Sequence, residues 1–452
     1  MSKADRDAVL RARKRVPPPG GALLEDTEKM KQKHHRMLCA FCALVILVST
    51  VFPTAAFAEQ PVDAAAAEQT LTRADAAEMQ QADAAVMALT ESEQYQEMDT
   101  DARKDAALAQ LDTLAAKGFV EKDSIYTDEE NGMVSFRYPC GVLGGILLTE
   151  SEDETLDEEN AETETASNAL SLRLPPDLGA EMQKSRAALL RRTENQAVEK
   201  FGTAVIYYAF DNTINSSRFP YYAYMQGFWS ALGLETKINI HVTVADLKKM
   251  GNYNVSVLSA HGSYYTYSYG KFLKRTRTEP IMLLTEESTF GKDLRYGFDL
   301  LAHRVIKVNG MYCVTSDFFR NAYKGGKLSN TIVYSETCEF LGVDGSEDNA
   351  MADALLSGGA QAVIGYVNNV YTVYSRSMLW DTINHLIMGQ NVGQALEHAK
   401  ATYGEDDLIW YHAQGGRRPH AAASYAVLYG NSQAALHVPE SNRSMFSADL
   451  AA

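Results

Sequence analysis

The sequence predicts an α/β fold built on a mostly parallel sheet, and three observations indicate it. Beyond about residue 203, short runs rich in β-branched and aromatic residues alternate with helical patterns, an order that calls for parallel strands joined by crossover helices. The run Thr331–Tyr334 is apolar on both faces, as strands inside a parallel sheet are. This run and Val255–Ala260 both stop at polar residues, and such strand ends are where open α/β sheets place ligand sites.

Length and composition narrow the classes of function. The chain has 452 residues and a formal net charge of −16, so it is long enough for two or more domains. An acidic chain is a poor partner for a phosphate backbone, and we expect no nucleic-acid partner. Two of the five cysteines, Cys39 and Cys42, lie in an N-terminal apolar stretch; the others are Cys140, Cys313 and Cys338. This pattern fits neither a disulfide framework nor a zinc site, and we expect no metal or cofactor.

The N-terminal region has the pattern of an export signal. The apolar run Leu38–Val51 follows the basic residues Lys31, Lys33 and Arg36 and precedes an Ala-Phe-Ala triplet at 56–58, which is typical of a cleavable signal peptide. The run is short for a membrane span. We therefore expect a secreted or cell-surface protein, with a membrane contact only if the segment remains as an uncleaved anchor.

Between the signal and residue 203 the composition changes twice. Alanine-rich helical patterns lead into a small hairpin unit around Asn131-Gly132, a turn signal between strands. Glu150–Glu164 carries nine acidic residues and no basic one, which is typical of a solvated linker. The expected organisation is a targeting segment at 1–58, a helical and hairpin prosegment or accessory domain at 59–148, an acidic linker at 149–180, a connecting helix at 181–202, the α/β domain at 203–437 and a tail at 438–452.

The elements of the α/β domain follow from local patterns. Gly233 stands after the amphipathic run Tyr221–Leu232, where glycine commonly ends a helix. Residues 263–300 are an insertion rich in tyrosine and charge, and Val305–Val314 contains Asn309-Gly310, a hairpin signal. The other predicted strands are Thr203–Phe210, Lys237–Val244, Gln361–Tyr366 and Ala423–Tyr429. The other predicted helices are Ala245–Met250, Thr315–Tyr323, Met351–Leu356, Ser377–Met388 and Val392–Tyr403.

Histidine and cysteine follow the two buried strands. His261 comes directly after Val255–Ala260, and Cys338 comes shortly after Thr331–Tyr334. Parallel strands bring such residues to one edge of a sheet, and a thiol beside a base is the minimal set for nucleophilic catalysis. The alternative for the cysteine is a buried apolar role. His241 inside a predicted strand, and His385 and His398 on predicted helices, are expected to be structural or surface residues.

Four segments resemble the caspase-like cysteine peptidases, a group that includes clostripain, gingipain, legumain, separase and the CHAT-domain proteases. The segments are VSVLSAHGS, TIVYSETCEFLG, MADALLSGGAQAVIGYV and SYAVLYGNSQAAL. The group is marked by an apolar strand ending in His-Gly, a later strand ending near Cys, and a helix, Gly-Gly and strand after it. The resemblance covers roughly residues 203–437. It implies a caspase-like three-layer sandwich with a mostly parallel sheet, preceded by the helical segment and hairpin unit.

The resemblance also implies roles for individual residues. Cys338 matches the nucleophile, and His261 matches its partner in proton transfer. The backbone N–H groups of Gly262 and Cys338 match the oxyanion hole. The substrate would be a peptide or protein.

Substrate specificity is left open between two interpretations. Glu336 occupies an acidic position seen in some relatives, where it would either favour a basic P1 side chain or hold its loop through backbone hydrogen bonds. Members that cleave after basic residues carry an acidic residue near the next strand, but this chain has Asn368 and Asn369 there. If Glu336 does not line the P1 pocket, Asn368 or Asn369 is expected to bind substrate through hydrogen bonds instead. The last strand ends in Gly430-Asn431, where relatives often have Gly-Asp.

These observations predict an exported cysteine endopeptidase, possessing a His261–Cys338 dyad and kept as a zymogen by its N-terminal region. One alternative is acyl transfer or transpeptidation by the same dyad. Another is a non-catalytic surface module that binds partners through the tyrosine-rich insertion. The sequence makes no prediction of oligomeric state.

Overall fold

A computed structural model of the chain describes residues 70–148, 182, 184–185, 198–210, 220–270, 273–408 and 423–446. All of them belong to one unit, Ala65–Ala452. The predicted signal segment, the acidic linker and most of the connecting helix lie outside the described residues. No helix in the described part of the chain is both long and apolar enough to span a membrane.

A six-stranded sheet forms the centre of the α/β domain. Its strands are β4 (Gly202–Ala209), β5 (Leu234–Asn239), β6 (Val255–Ala260), β11 (Ile332–Ser335), β14 (Ala362–Val367) and β15 (Tyr425–Gly430). Along the sheet they lie in the order β15-β14-β11-β6-β4-β5. All neighbours are parallel except β15, which runs antiparallel to β14. The predicted mixed α/β class with parallel strands is therefore confirmed.

Helices cover both faces of this sheet. Successive strand residues point to opposite faces, so Val257 joins one core cluster and Leu258 joins the other. The first cluster includes side chains of α4 (Pro220–Ala231), α9 (Thr372–Ile387) and α10 (Val392–Tyr403). The second includes side chains of α5 (Val244–Leu247), α7 (Ser316–Ala322) and α8 (Ala350–Ser357). A last helix, α11, spans Glu440–Phe446.

A second, seven-stranded sheet joins the N-terminal region to the insertion. Its strands are β1 (Tyr126–Asp128), β2 (Met133–Arg137), β3 (Leu143–Leu147), β7 (Gly262–Tyr269), β8 (Arg275–Glu287), β9 (Val305–Val308) and β10 (Met311–Thr315). A separate two-stranded sheet is formed by β12 (Gly342–Val343) and β13 (Ser346–Glu347). The order in the seven-stranded sheet is β1-β2-β3-β9-β10-β8-β7. Both hairpins signalled by Asn-Gly, β1–β2 and β9–β10, are confirmed. The N-terminal region meets the later part of the chain where β3 pairs in parallel with β9.

A buried charge cluster holds the same two regions together. The N-terminal helices are α1 (Arg73–Thr90), α2 (Glu93–Gln96) and α3 (Thr100–Ala116), and α6 (Phe290–Leu301) belongs to the insertion. Lys307 of β9 is fully buried between Asp83 of α1 and Asp293 of α6. The hydroxyl of Tyr138 donates to Asp83, and that of Tyr312 donates to Asp293 at 2.7 Å. The expected accessory region thus shares a sheet, a core cluster and an ionic cluster with the α/β domain.

The second strand of the domain lies earlier than predicted. It spans Leu234–Asn239 rather than Lys237–Val244, because Gly233 adopts φ +99° and turns the chain directly from helix into strand. Thr243 then caps α5 in a capping box with Asp246, which ends the extended segment. His241 is consequently exposed in a loop, and its predicted place inside a strand was wrong.

Candidate active site

The register of two parallel strands brings the segments that carry the predicted histidine and cysteine to one edge of the sheet. Strands β6 and β11 are neighbours, and Ser335 lies opposite Leu258. The pairing extends past the strand, since the Glu336 N–H donates to the Leu258 carbonyl at 2.8 Å. Cys338 follows two residues later, and its carbonyl oxygen lies close to Gly262, the residue after His261. Both residues therefore lie at the carboxyl edge of the sheet, where α/β folds commonly bind ligands.

The close approach of Gly262 to Cys338 shows how tightly the two segments pack. A Cβ atom built on Gly262 would lie 2.1 Å from the Cys338 carbonyl oxygen and 2.5 Å from Cγ2 of Thr337. Neither distance is compatible with a side chain, so only glycine fits without a backbone shift. The peptide that follows His261 thus runs directly against the peptide of Cys338.

The described part of the chain holds three free cysteines, Cys140, Cys313 and Cys338. Burial raises the pKa of Cys140 to about 11, and it raises the pKa of the fully buried Cys313 further, which makes both thiols unreactive. Cys338 is partly buried, as Cys140 is, whereas Cys313 is fully buried. The Sγ of Cys338 lies 3.9 Å from the carbonyl oxygen of Val370, a weak contact for a thiol donor.

His261 is held by contacts on both its side chain and its backbone. Its ring meets Phe210 edge to face, with ring centres 4.7 Å apart and an interplanar angle of 87°. Its carbonyl accepts a 2.9 Å hydrogen bond from the N–H of Leu283 in β8, which ties it to the second sheet. Phe210 and Cys338 pack against the same core cluster. Burial lowers the pKa of His261 to about 4, so the imidazole is neutral near pH 7.

Glu336 is buried beneath this edge in a network of hydroxyl groups. Tyr222 donates to its carboxylate at 3.1 Å, and Ser375 donates at 3.4 Å. Burial raises the pKa of Glu336, and the buried guanidinium of Arg376 opposes this rise. Arg376 also lies over the Tyr222 ring, 5.3 Å from its centre. These contacts connect the residue two positions before Cys338 to α4 and α9.

Asn368 and Asn369 occupy very different surroundings. Asn368 is buried with φ +68°; its side chain accepts from the Gly345 N–H at 2.9 Å and donates to the Ala423 carbonyl at 2.8 Å. Its backbone carbonyl accepts from the Glu339 N–H at 3.0 Å. Asn368 therefore organises the loop after Cys338, whereas the side chain of Asn369 is exposed.

Several carboxyl groups come together near the loop after Cys338, and no sequence pattern predicted this grouping. Glu339 directly follows Cys338, and burial together with Asp344 raises its pKa to about 7. Glu130, at the turn of the β1–β2 hairpin, forms a side-chain hydrogen bond with Asp344, which raises the pKa of Glu130. Asp128, Glu130, Tyr264 and Val343 help to line a cavity of about 230 Å³. No local pattern predicts this grouping, because its members come from distant parts of the chain.

Another cavity, of about 440 Å³, lies between β15 and α10 and includes neither His261 nor Cys338. It is lined in part by Leu396, Lys400 and Tyr425. This cavity is therefore separate from the carboxyl ends of β6 and β11, and it is not evidence for a catalytic site at His261 and Cys338.

Comparisons with known proteins add no family to this geometry. No protein-family model matches the chain, and no significant match to a curated protein is found.

Proposed function

We propose that the chain is a caspase-like cysteine endopeptidase in which Cys338 is the nucleophile and His261 is the base. The observation that supports this most is the pairing of their segments at neighbouring strand ends, with Gly262 pressed against the Cys338 carbonyl. A neutral histidine and a partly buried thiol at one sheet edge are the groups that cysteine peptidases need. Sequence resemblance and geometry thus favour the same pair.

The proposed reaction proceeds through an acyl-enzyme. His261 takes the proton of the Cys338 thiol, and the thiolate attacks the scissile carbonyl carbon. The N–H groups of Gly262 and Cys338 donate to the developing oxyanion. His261 then protonates the leaving amine, the C–N bond breaks, and a thioester remains. Water, deprotonated by His261, hydrolyses the thioester and releases the acid.

We also propose a preference for substrates with basic residues. Glu339, the residue after Cys338, interacts with Asp344, which in turn interacts with Glu130, and a cationic substrate side chain would relieve the repulsion among these carboxyl groups. Glu336 is a less direct determinant, because its oxygens accept hydrogen bonds from buried hydroxyls. Cleavage after Arg or Lys is therefore the expected outcome of a peptide-library assay.

In the proposed cellular setting the protein is exported and its N-terminal region restrains it. Glu130 of that region touches Asp344 in the loop after Cys338, so the hairpin turn is close enough to limit substrate entry. A tethered segment acts as an inhibitor at high local concentration. Cleavage in the acidic stretch would loosen this restraint.

The decisive experiment compares wild type, Cys338→Ala and His261→Ala on a peptide library. Cys338→Ala should abolish turnover, and His261→Ala should lower kcat/KM by about 10²–10⁴-fold. Cys140→Ala serves as the matched thiol control and should keep full activity. Full activity in either dyad variant contradicts the mechanism. A folded wild type whose Cys338 resists alkylation, and which cleaves nothing, points instead to a binding module.

A further inference from the structure

Three side chains that can bind a metal ion converge between α9 and α10. Asp381 and His385 lie one turn apart on α9, and His398 lies on α10. One ligand atom from each lies within 4.8 Å of the others. His398 Nδ1 is 2.7 Å from Oδ2 of Asp381, and His385 Nε2 is 3.7 Å from Oδ1. The two imidazole ring centres are 3.7 Å apart.

Of these three residues, His385 has the surroundings that most favour a bound ion. It is 2% exposed, and neither ring nitrogen makes a hydrogen bond of normal geometry with the described residues. The buried side-chain oxygen of Gln390 also lacks such a hydrogen bond. Buried polar groups in native structures are nearly always satisfied, and exceptions often mark a missing ion or water.

We propose that Asp381, His385 and His398 bind a divalent transition-metal ion of the zinc class. Two imidazoles and one carboxylate form a ligand set typical of zinc sites that keep a fourth position for water. Calcium and magnesium prefer oxygen ligands, so the two nitrogens disfavour them. Bonds of about 2.0–2.1 Å in a tetrahedron place ligand atoms about 3.3 Å apart, and small side-chain rotations achieve this spacing.

Metal binding also supplies partners to the unsatisfied groups. If Nε2 of His385 binds the ion, Nδ1–H is left to donate to the Gln390 oxygen. A second hydrogen bond of this kind is the usual support of a metal-bound histidine. The side chain of His398 is 44% exposed, so the ion has a route from solvent.

The position of the ion suggests what it does. It would link the later turns of α9 to α10, and the first turns of α9 carry Ser375 and Arg376, which contact the Glu336 network. Bound metal would therefore stabilise the helix that supports the proposed active site, without contacting substrate.

The test uses the full chain in a Cys338→Ala background, so that the dyad cannot bind the probe metal. Zn²⁺ is titrated into chelator-treated protein, and bound metal and melting temperature are measured. The test variant is His398→Ala, and the control is His437→Ala, which replaces an exposed histidine outside the cluster. Cys39 and Cys42 are present in all proteins compared, so any metal they bind cancels. Co²⁺ replaces Zn²⁺ in a parallel titration, because tetrahedral Co²⁺ absorbs visible light strongly.

The control should bind one more equivalent of Zn²⁺ than His398→Ala. A hundredfold excess of Zn²⁺ over its dissociation constant should raise the melting temperature by about 3–5 °C in the control, and this rise should be lost in His398→Ala. The visible Co²⁺ bands should be lost with it. Equal stoichiometry and equal Zn²⁺-induced shifts in the two variants would overturn the proposal and leave a hydrogen-bonded His–Asp–His cluster.

Discussion

Gly262 is the residue at which the geometry of the proposed site is most sensitive to change. An added Cβ would meet the backbone carbonyl of Cys338 at 2.1 Å, so Gly262→Ala must displace one of the two strand ends. We expect kcat/KM to fall by about 100-fold or more, since small displacements of reacting groups cost rate on this scale. The measurement is steady-state kinetics on the preferred peptide.

Gly227 supplies the matched control. It lies in α4, and among the described residues no atom outside the neighbouring backbone of α4 lies within 4 Å of the position that an added Cβ would take. Alanine in place of glycine at a helix interior is stabilising by about 0.5–1 kcal/mol. Gly227→Ala should therefore keep activity. If Gly262→Ala is as active as Gly227→Ala, the proposed contact between the strand ends is unimportant for turnover.

The lowered pKa of His261, a partly exposed residue, predicts an unusual pH profile. Burial lowers the pKa of His261 to about 4, so the base stays neutral well below the usual histidine range. The acidic limb of kcat/KM should therefore fall near about pH 4 rather than near 6.5. A limb at about pH 6.5 would mean that His261 is solvated in the active enzyme.

Glu339 predicts a pH-dependent contribution to stability. Burial and Asp344 raise its folded-state pKa to about 7, so its contribution is fully present below about pH 4.5 and is lost as pH rises through about 7. Glu339→Gln removes this dependence. Relative to wild type, the variant should gain about 1–3 kcal/mol in unfolding free energy between about pH 5 and pH 8.

Urea unfolding at the two pH values checks this prediction. Glu279, whose pKa burial also raises to about 7, is present in both proteins, so its effect cancels in the difference. A difference between variant and wild type that is the same at both pH values would show that Glu339 is not the titrating group.

At the scale of elements, α9 and β11 are joined by the Glu336–Arg376 network. Arg376 is buried beside Tyr222, whose hydroxyl donates to Glu336. Arg376→Met leaves the carboxylate without its compensating charge, and breaking a buried pair in this way typically costs about 3–5 kcal/mol. Chemical denaturation should show this loss, and adding Glu336→Gln should recover part of it. Purely additive effects would indicate that the two groups do not interact.

The same network decides between the two interpretations of Glu336. Its oxygens accept hydrogen bonds from Tyr222 and Ser375 inside the protein, which favours a role in holding the loop. We expect Glu336→Gln to lower the melting temperature while changing the ratio of Arg to neutral P1 cleavage by less than about threefold. A fall of that ratio by about tenfold or more, equivalent to a lost charged contact, would instead place Glu336 in the P1 pocket.

At the scale of the whole molecule, the N-terminal region is built into the same structure as the proposed catalytic residues. Strand β3 pairs with β9, and Asp83 contacts the fully buried Lys307. A chain beginning at Thr203 would leave this lysine with one fewer carboxylate and expose the edge of β9. We expect that truncated chain to fail to fold cooperatively, whereas a chain cut within residues 149–181 should stay associated on gel filtration. Latency should therefore be tested with the cut chain.

Asp83→Ala tests this attachment without truncation. It removes one partner of Lys307 and the acceptor of the Tyr138 hydroxyl, so we expect a loss of about 3–5 kcal/mol in unfolding free energy. Asp105→Ala, at an exposed position of α3, should change it by less than about 0.5 kcal/mol. Equal effects of the two substitutions would mean that the ionic cluster does not hold the regions together.

Most local elements, and the candidates for the proposed dyad, could be predicted from sequence patterns. Strand β6 and helix α10 have the predicted bounds, and both Asn-Gly hairpins form, because hydrophobic period and turn chemistry are encoded over a few neighbouring residues. His261 and Cys338 were recognisable because each follows such a strand. Tertiary structure alone decided that β3 pairs with β9, that Arg376 supports Glu336, and that Asp381, His385 and His398 converge. These contacts join residues far apart in the chain, and their partners are chosen by packing of whole elements, which no local pattern specifies.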